Sequence, residues 1–224
     1  MTNVPPWSYS ALTSFETCPK RYFHIKVAKD IVDAPGEAAL WGSLVHKHLE
    51  DRLALGTSLP VSIEKYESLI APIIRNSGKL LVEQQMAVDQ ELNPVVWESD
   101  TAWCRGIVDV GLISTGGRLA LLLDWKTGRR KFESDQLKLF AALAFAHFPQ
   151  LQTVQTGFVW LKENIVDNQM FTRQDIAAIW AGFAPRIERL HRAYKTTDFK
   201  PKPSGLCRNF CPVPRTMCSF SGRT

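Results

Sequence analysis

An acid and an amine two residues apart, Asp124 and Lys126, close the otherwise apolar run Leu121-Leu122-Leu123-Asp124-Trp125-Lys126-Thr127-Gly128. The run reads as a core strand with charge at its C-terminal end, an unusual place for it. Side chains alternate along a strand, so Asp124 and Lys126 project together and Trp125 goes to the other face. A second apolar run, 103–113, carries Asp109 in its middle, and Gly116-Gly117 turns the chain back between the two. Pairing the runs brings Asp109 to Asp124. Two carboxylates suffice to hold magnesium, or manganese in its place, with water and phosphate oxygens completing the shell. A cation so held lowers the pKa of bound water and stabilises charge on a phosphoryl oxygen, while a neighbouring ammonium orients the attacking water. That is the chemistry of phosphodiester hydrolysis. The same residues also suit a plainer role, an ion pair at a strand end beside a hydrogen-bonded structural acid.

The elements that must position these groups follow from spacing. Ser8 or Ser10 caps an N-terminal helix, and Cys18-Pro19 splits it into two short helices with Cys18 at the joint. A helix over 38–55 takes Trp41, Leu44, Val45, Leu49 and Leu53 as its core stripe. Gly42 and His46, four apart on it, share a face: the glycine permits close approach and the histidine faces whatever approaches. Alone, His46 reads more readily as a satisfied histidine than as a ligand. Residues 62–79 have helical spacing with a kink at Pro72. Strands are expected over 80–88, 101–114 and 118–126, then a helix over 133–147 and strands over 153–161 and 165–171. Thr172-Arg173-Gln174-Asp175 opens a long final helix as a capping box.

The stretch 200–218 has neither helical nor strand period, so something other than packing must order it. Its three cysteines, Cys207, Cys211 and Cys218, read as metal or cluster ligands before they read as disulfides, and three thiolates call for a fourth. Cys104, on a strand, reads as a buried structural thiol. Arg129, Arg130 and Lys131 crowd the exit of the Asp124 strand, where they fit either phosphate contacts or a solvated turn. Trp7, Tyr9, Tyr22 and Phe23 are candidates for base stacking, though aromatics at helical spacing are more often core.

With 45% hydrophobic residues, the 224-residue chain can bury a substantial core. We expect one domain over 1–224, with 1–35 and 198–224 as appendages. A net charge of +5 and a pI near 9.0 suit a polyanionic partner. No run reaches the length of a membrane span, and 1–6 lacks the regions of a signal peptide, so a cytoplasmic location in a bacterium or a phage-infected host is expected.

Four short motifs in order, Gly42-Ser43-Leu44-Val45-His46, Gly106-Ile107-Val108-Asp109, Asp124-Trp125-Lys126-Thr127-Gly128 and Gln136-Leu137-Lys138-Leu139-Phe140, resemble those of RecB-type nucleases in the PD-(D/E)XK superfamily. The resemblance implies an α/β fold with an αβββαβ core, a central mixed sheet flanked by helices, and helical N-terminal and cysteine-rich C-terminal appendages. It implies metal binding by His46, Asp109, Asp124 and the carbonyl of Trp125, with Lys126 catalytic and Gln136 facing the site. Phe140 stands where the family pattern has tyrosine, and Glu83 is an accessory acid. One N-terminal and three C-terminal cysteines look like the layout of CRISPR-adaptation exonucleases, implying that Cys18, Cys207, Cys211 and Cys218 ligate an iron-sulfur cluster, of the 4Fe-4S type. The C-x3-C-x6-C spacing is wider than the family run and leaves tetrahedral zinc as the alternative. The expected function is that of a magnesium- or manganese-dependent DNA exonuclease in replication, recombination or repair, of phage origin or otherwise, acting on single strands or duplex ends. The alternatives are a non-catalytic RecB-like DNA-binding or assembly module and a CRISPR-adaptation exonuclease.

Overall fold

The computed structural model describes residues 4–131 and 135–223. The expected start of a helix at 133 and the first residues of the segment read for a signal peptide lie outside the described residues. The chain divides into two compact units, Pro35–Trp180 and a second made of Met1–Ala34 with Ala181–Thr224. The expected appendages fall in the second unit, apart from Pro35. Among the described residues no helix is long and apolar enough to cross a membrane.

The first unit is an α/β layer structure on a six-stranded mixed sheet. Its strands are β1 (Lys79–Val88), β2 (Pro94–Val95), β3 (Cys104–Ile113), β4 (Leu119–Lys126), β5 (Thr153–Trp160) and β6 (Ile165–Thr172), in the order β2-β1-β3-β4-β5-β6. All neighbours are antiparallel except β4 and β5, whose parallel pairing requires the crossover that α5 (Gln136–His147) supplies. Helix α3 (Glu37–Leu55) buries Val45, Leu49 and Leu53 in one cluster with Leu123 and Trp125 of β4. Leu123 and Trp125 point to the face opposite Asp124, so α3 covers one side of the sheet. The N-terminus of α5 sits on the Asp124 side, where Gln136 bonds to it.

Most expected elements stand within a few residues of their sequence positions. Residues 62–79 do not form one kinked helix: a 3-10 turn over Val61–Tyr66 leads into α4 (Glu67–Ile74), and the chain is already in β1 at Lys79. The apolar stripe of α3 is also narrower than expected. Trp41 and Leu44 are 40% and 48% exposed, because the core faces only the Val45–Leu49–Leu53 line.

The second unit opens with α1 (Tyr9–Thr17), whose first turn is capped by the Ser8 hydroxyl accepting from the Ala11 N–H. Cys18 is extended, and Pro19 starts α2 (Pro19–Tyr22), where a missing N–H costs nothing. A π-helical turn, Phe23–Val27, follows. Helix α6 (Ile176–Thr196) buries Phe183, Ile187, Leu190 and Tyr194, and Trp7 packs on Phe183 at 5.5 Å. Trp7 and Tyr22 are core residues, 1% and 4% exposed, rather than a stacking surface. The tail carries one short helix, α7 (Leu206–Asn209), that its sequence did not announce.

Candidate active site

The ladder between β3 and β4 runs from Ile113↔Ala120 to Val110↔Leu123 and stops there. The next residues along each strand are Asp109 and Asp124. In place of a further ladder bond, Asp109 Oδ2 accepts from the Trp125 N–H at 2.6 Å, so the acid itself closes the end of the strand pair. On the other flank of β3, Val82↔Val110 and Gln84↔Val108 pair while Glu83, opposite Asp109, does not. Glu83 has φ +47, a left-handed conformation that costs a non-glycine residue about 1–3 kcal/mol. Glu83 thus stands directly beside Asp109, close enough for its carboxyl to feel the charges of Asp109 and Asp124.

Helix α3 reaches the cluster through the two residues singled out on it. His46 Nδ1 lies 3.4 Å from Asp109 Oδ2. A Cβ on Gly42 would come 2.9 Å from the Thr127 hydroxyl, so the glycine lets the helix approach the segment that follows Lys126. From α5, Gln136 bridges the pair on β4: its Nε2 donates to Asp124 Oδ1 at 3.0 Å, and its Oε1 accepts from Lys126 Nζ at 3.1 Å. The Lys126 ammonium also lies 4.6 Å above the ring of Phe158, a β5 residue paired in register with Asp124. Neither Phe158 nor the strain at Glu83 was found from the sequence, and only the apolar run of β5 hinted at the former.

The electrostatics follow from crowding. Asp124, almost fully buried, is pushed up to about 6 by burial and then by the charge of Asp109, with Lys126 pulling the other way. Glu83 is pushed up to about 7, again by burial first and then by Asp109. Burial pushes His46 down, but its bond to Asp109 and the charges of Asp109 and Asp124 outweigh this and leave it above its usual value. A divalent cation would relieve three acids that cannot comfortably ionise together. Asp124 Oδ2 is 2.6 Å from Lys126 Nζ yet off the direction of a hydrogen bond, and it has no hydrogen-bond partner among the described residues. That buried oxygen is the kind of lone pair a hard cation takes. Among the described residues no three of His, Cys, Asp and Glu converge as they stand on a single ion, so the fit rests on the two aspartates, the number magnesium ordinarily uses. Trp125 contributes its N–H to Asp109 and its indole to the core.

The basic residues at the exit of β4 separate. Arg129 and Lys131 are exposed, whereas Arg130 is paired with Asp167 of β6, its Nε donating to Oδ2 at 2.7 Å. The Trp160 indole donates to the same oxygen at 2.8 Å. Phe140 is 2% exposed and packs in the core, so no hydroxyl is called for at that position. Cys104 is fully buried, and burial pushes its thiol well up, which leaves it unreactive.

In the second unit Cys18, Cys207, Cys211 and Cys218 all line one small cavity, and none forms a disulfide. The Lys202 N–H points at Cys18 Sγ at 3.5 Å and the Ser204 N–H at Cys207 Sγ at 3.4 Å. Burial raises the Cys211 thiol, and the charges of Cys18 and Cys207 raise it further.

A family model described as the PD-(D/E)XK nuclease superfamily matches the chain over residues 6–102 and 74–218. No curated protein sequence matches it. Among solved structures, a candidate exonuclease from Eubacterium rectale is similar with a TM-score of 0.55 at 15% identity, over 92% of this chain and 86% of that one. The protein SSO0001 is similar with a TM-score of 0.46 at 14% identity, over 98% and 88%.

Proposed function

Since the chain belongs to the PD-(D/E)XK nuclease superfamily, we propose that it is a magnesium- or manganese-dependent deoxyribonuclease, an exonuclease that hydrolyses phosphodiester bonds in DNA. The observation that carries this reading is the pair Asp109 and Asp124 at the broken end of the β3–β4 ladder, with Lys126 against Asp124. Asp109 and Asp124 would hold the metal, with His46 beside Asp109 and Glu83 within the same field. The metal, when bound, supplies a polarised phosphoryl oxygen and an acidified water. Lys126, kept in place by Gln136 and Asp124, presents its ammonium where the attacking water or the phosphate anion is oriented. Gln136 holds Asp124 by Oδ1, while Lys126 lies against Oδ2. The likeness to the Eubacterium rectale protein supports the fold, and its exonuclease description supports the choice of exonuclease.

The four cysteines around one cavity support, as a separate proposal, an iron-sulfur cluster in the second unit. Zinc held by the same four sulfurs is the alternative. Amide hydrogens pointing at sulfur, as at Cys18 and Cys207, suit thiolate ligands.

The test is a cleavage assay on labelled linear, circular, single-stranded and duplex DNA with magnesium or manganese. Cleavage is expected on substrates with free ends. Asp109→Ala, Asp124→Ala and Lys126→Ala should each lose on the order of 100-fold or more in rate while retaining DNA binding. Full activity in all three variants would overturn the assignment of the site.

A further inference from the structure

The chain's positive charge is unequally divided. The sheet-bearing unit holds 14 lysines and arginines against 17 acids, whereas the cysteine-bearing unit holds 13 against 5. Those five acids are all paired within their unit: Glu16 with Arg186, Asp30 with His24, Asp33 with Arg21, Glu188 with Arg192 and Asp198 with Lys200. Beyond Asp198 there is no acid at all, only Lys200, Lys202, Arg208, Arg215 and Arg223. Arg208 and Arg215 are exposed, and their side chains make no ion pair or hydrogen bond among the described residues. The same stretch carries large apolar side chains that the fold leaves in solvent, Phe210 between the two arginines at 72% and Phe220 between Arg215 and Arg223 at 51% exposed. Phe210 and Leu206 also wall a concavity that Arg21, Lys202, Thr17 and Ser204 share.

Exposed aromatic faces set among unpaired cations match a single nucleic-acid strand, whose bases stack while its phosphates are neutralised. A duplex offers only its phosphates, and a protein partner of this basic face would have to be strongly acidic. We propose that this tail is the docking surface for single-stranded DNA, with Phe210 and Phe220 as stacking platforms and Arg208 and Arg215 as phosphate contacts. The proposal rests on the nuclease reading for the identity of the polymer, and its test does not need cleavage.

Binding of a fluorescent oligothymidine and of a blunt duplex to the full chain is followed by anisotropy without divalent cations, across a salt series. Phe210→Ala and Phe220→Ala should each weaken single-strand binding roughly 10-fold, with the salt slope and the melting temperature unchanged. Arg208→Ala with Arg215→Ala should flatten the slope of log affinity against log salt by about 1.4. Single-strand affinity unaffected by the phenylalanine variants would overturn the docking surface, as would equal losses on the duplex or a changed oligomeric state in their place. Strand binding as expected, with no cleavage once magnesium or manganese is added, would instead overturn the nuclease reading and leave the docking surface standing.

Discussion

Lys126 is fixed by three different kinds of contact, a carboxylate, an amide oxygen and an aromatic face. The last is the one to probe, because Phe158 touches no ligand and can be changed without removing a charge. A cation over a ring is stabilised by about 0.5–2 kcal/mol. Phe158→Leu should therefore lower kcat about 3- to 30-fold at unchanged KM, while Phe158→Tyr keeps most of the rate. An upfield ring-current shift of the Lys126 ε-methylene protons, present in the wild type and lost in the leucine variant, checks the contact without reference to activity. Glu83 offers a second test. Its folded pKa of about 7 and that of Asp124, about 6, lie above their unfolded values near 4, so in this window the folded chain binds protons that the unfolded chain has released. Solvent screening of the partly exposed Glu83 reduces its share, so stability of metal-free protein should fall as pH rises through that window by on the order of 2 kcal/mol, and level off above it. Thermal melts at pH 5 and pH 8 measure this. Glu83→Gln should flatten the difference, magnesium should restore stability at pH 8, and a melting temperature that rises with pH would count against the crowded acids.

Asp109, Asp124, Lys126, His46 and Gln136 were legible because each stands out against an apolar background or follows a motif spacing. Phe158 and the strain at Glu83 were not, since a phenylalanine in an apolar strand carries no mark and a backbone angle leaves none. The strands follow from periodicity, whereas their order and the parallel β4–β5 pair do not, because side-chain alternation gives a strand's faces and not its neighbours. The exposure of Trp41 and Leu44 does not, because helical spacing gives the side of a helix and not how wide its partner is. The tail is the least legible element, yet it is tightly made. Gly222 N donates to Cys207 O at 3.0 Å, and a Cβ on Gly222 would come 2.1 Å from the Arg208 carbonyl oxygen. Backbone cannot yield there, so Gly222→Ala should expose the tail to limited proteolysis, while Gly205→Ala, with open space around it, should not. Replacing Cys18, Cys207, Cys211 or Cys218 by serine should do the same and remove iron and sulfide from protein purified without oxygen, whereas Cys104→Ser leaves both intact. Stoichiometric zinc in colourless protein would reject the iron-sulfur identity.

At the scale of the whole chain, a net charge of +5 conceals two opposite characters, a mildly acidic unit bearing the carboxylates and a strongly basic one bearing the cysteines. The division was written in the sequence, but it could be counted only once the structure had shown that 1–34 and 181–224 belong together. That same joining of the two ends has a consequence for biogenesis. Cys18, Trp7 and Tyr22 leave the ribosome before residues 35–180 and must wait for Phe183, Tyr194 and the tail. At a synthesis rate of about 5–20 residues per second the wait is roughly 10–40 s. The sheet and its carboxylates have all their strands before the basic unit can be completed, so a ribosome stalled after Trp180 releases a nascent chain that carries Asp109 and Asp124 but lacks Cys207, Cys211 and Cys218. Messages truncated in that interval are where the cell would meet the one half without the other.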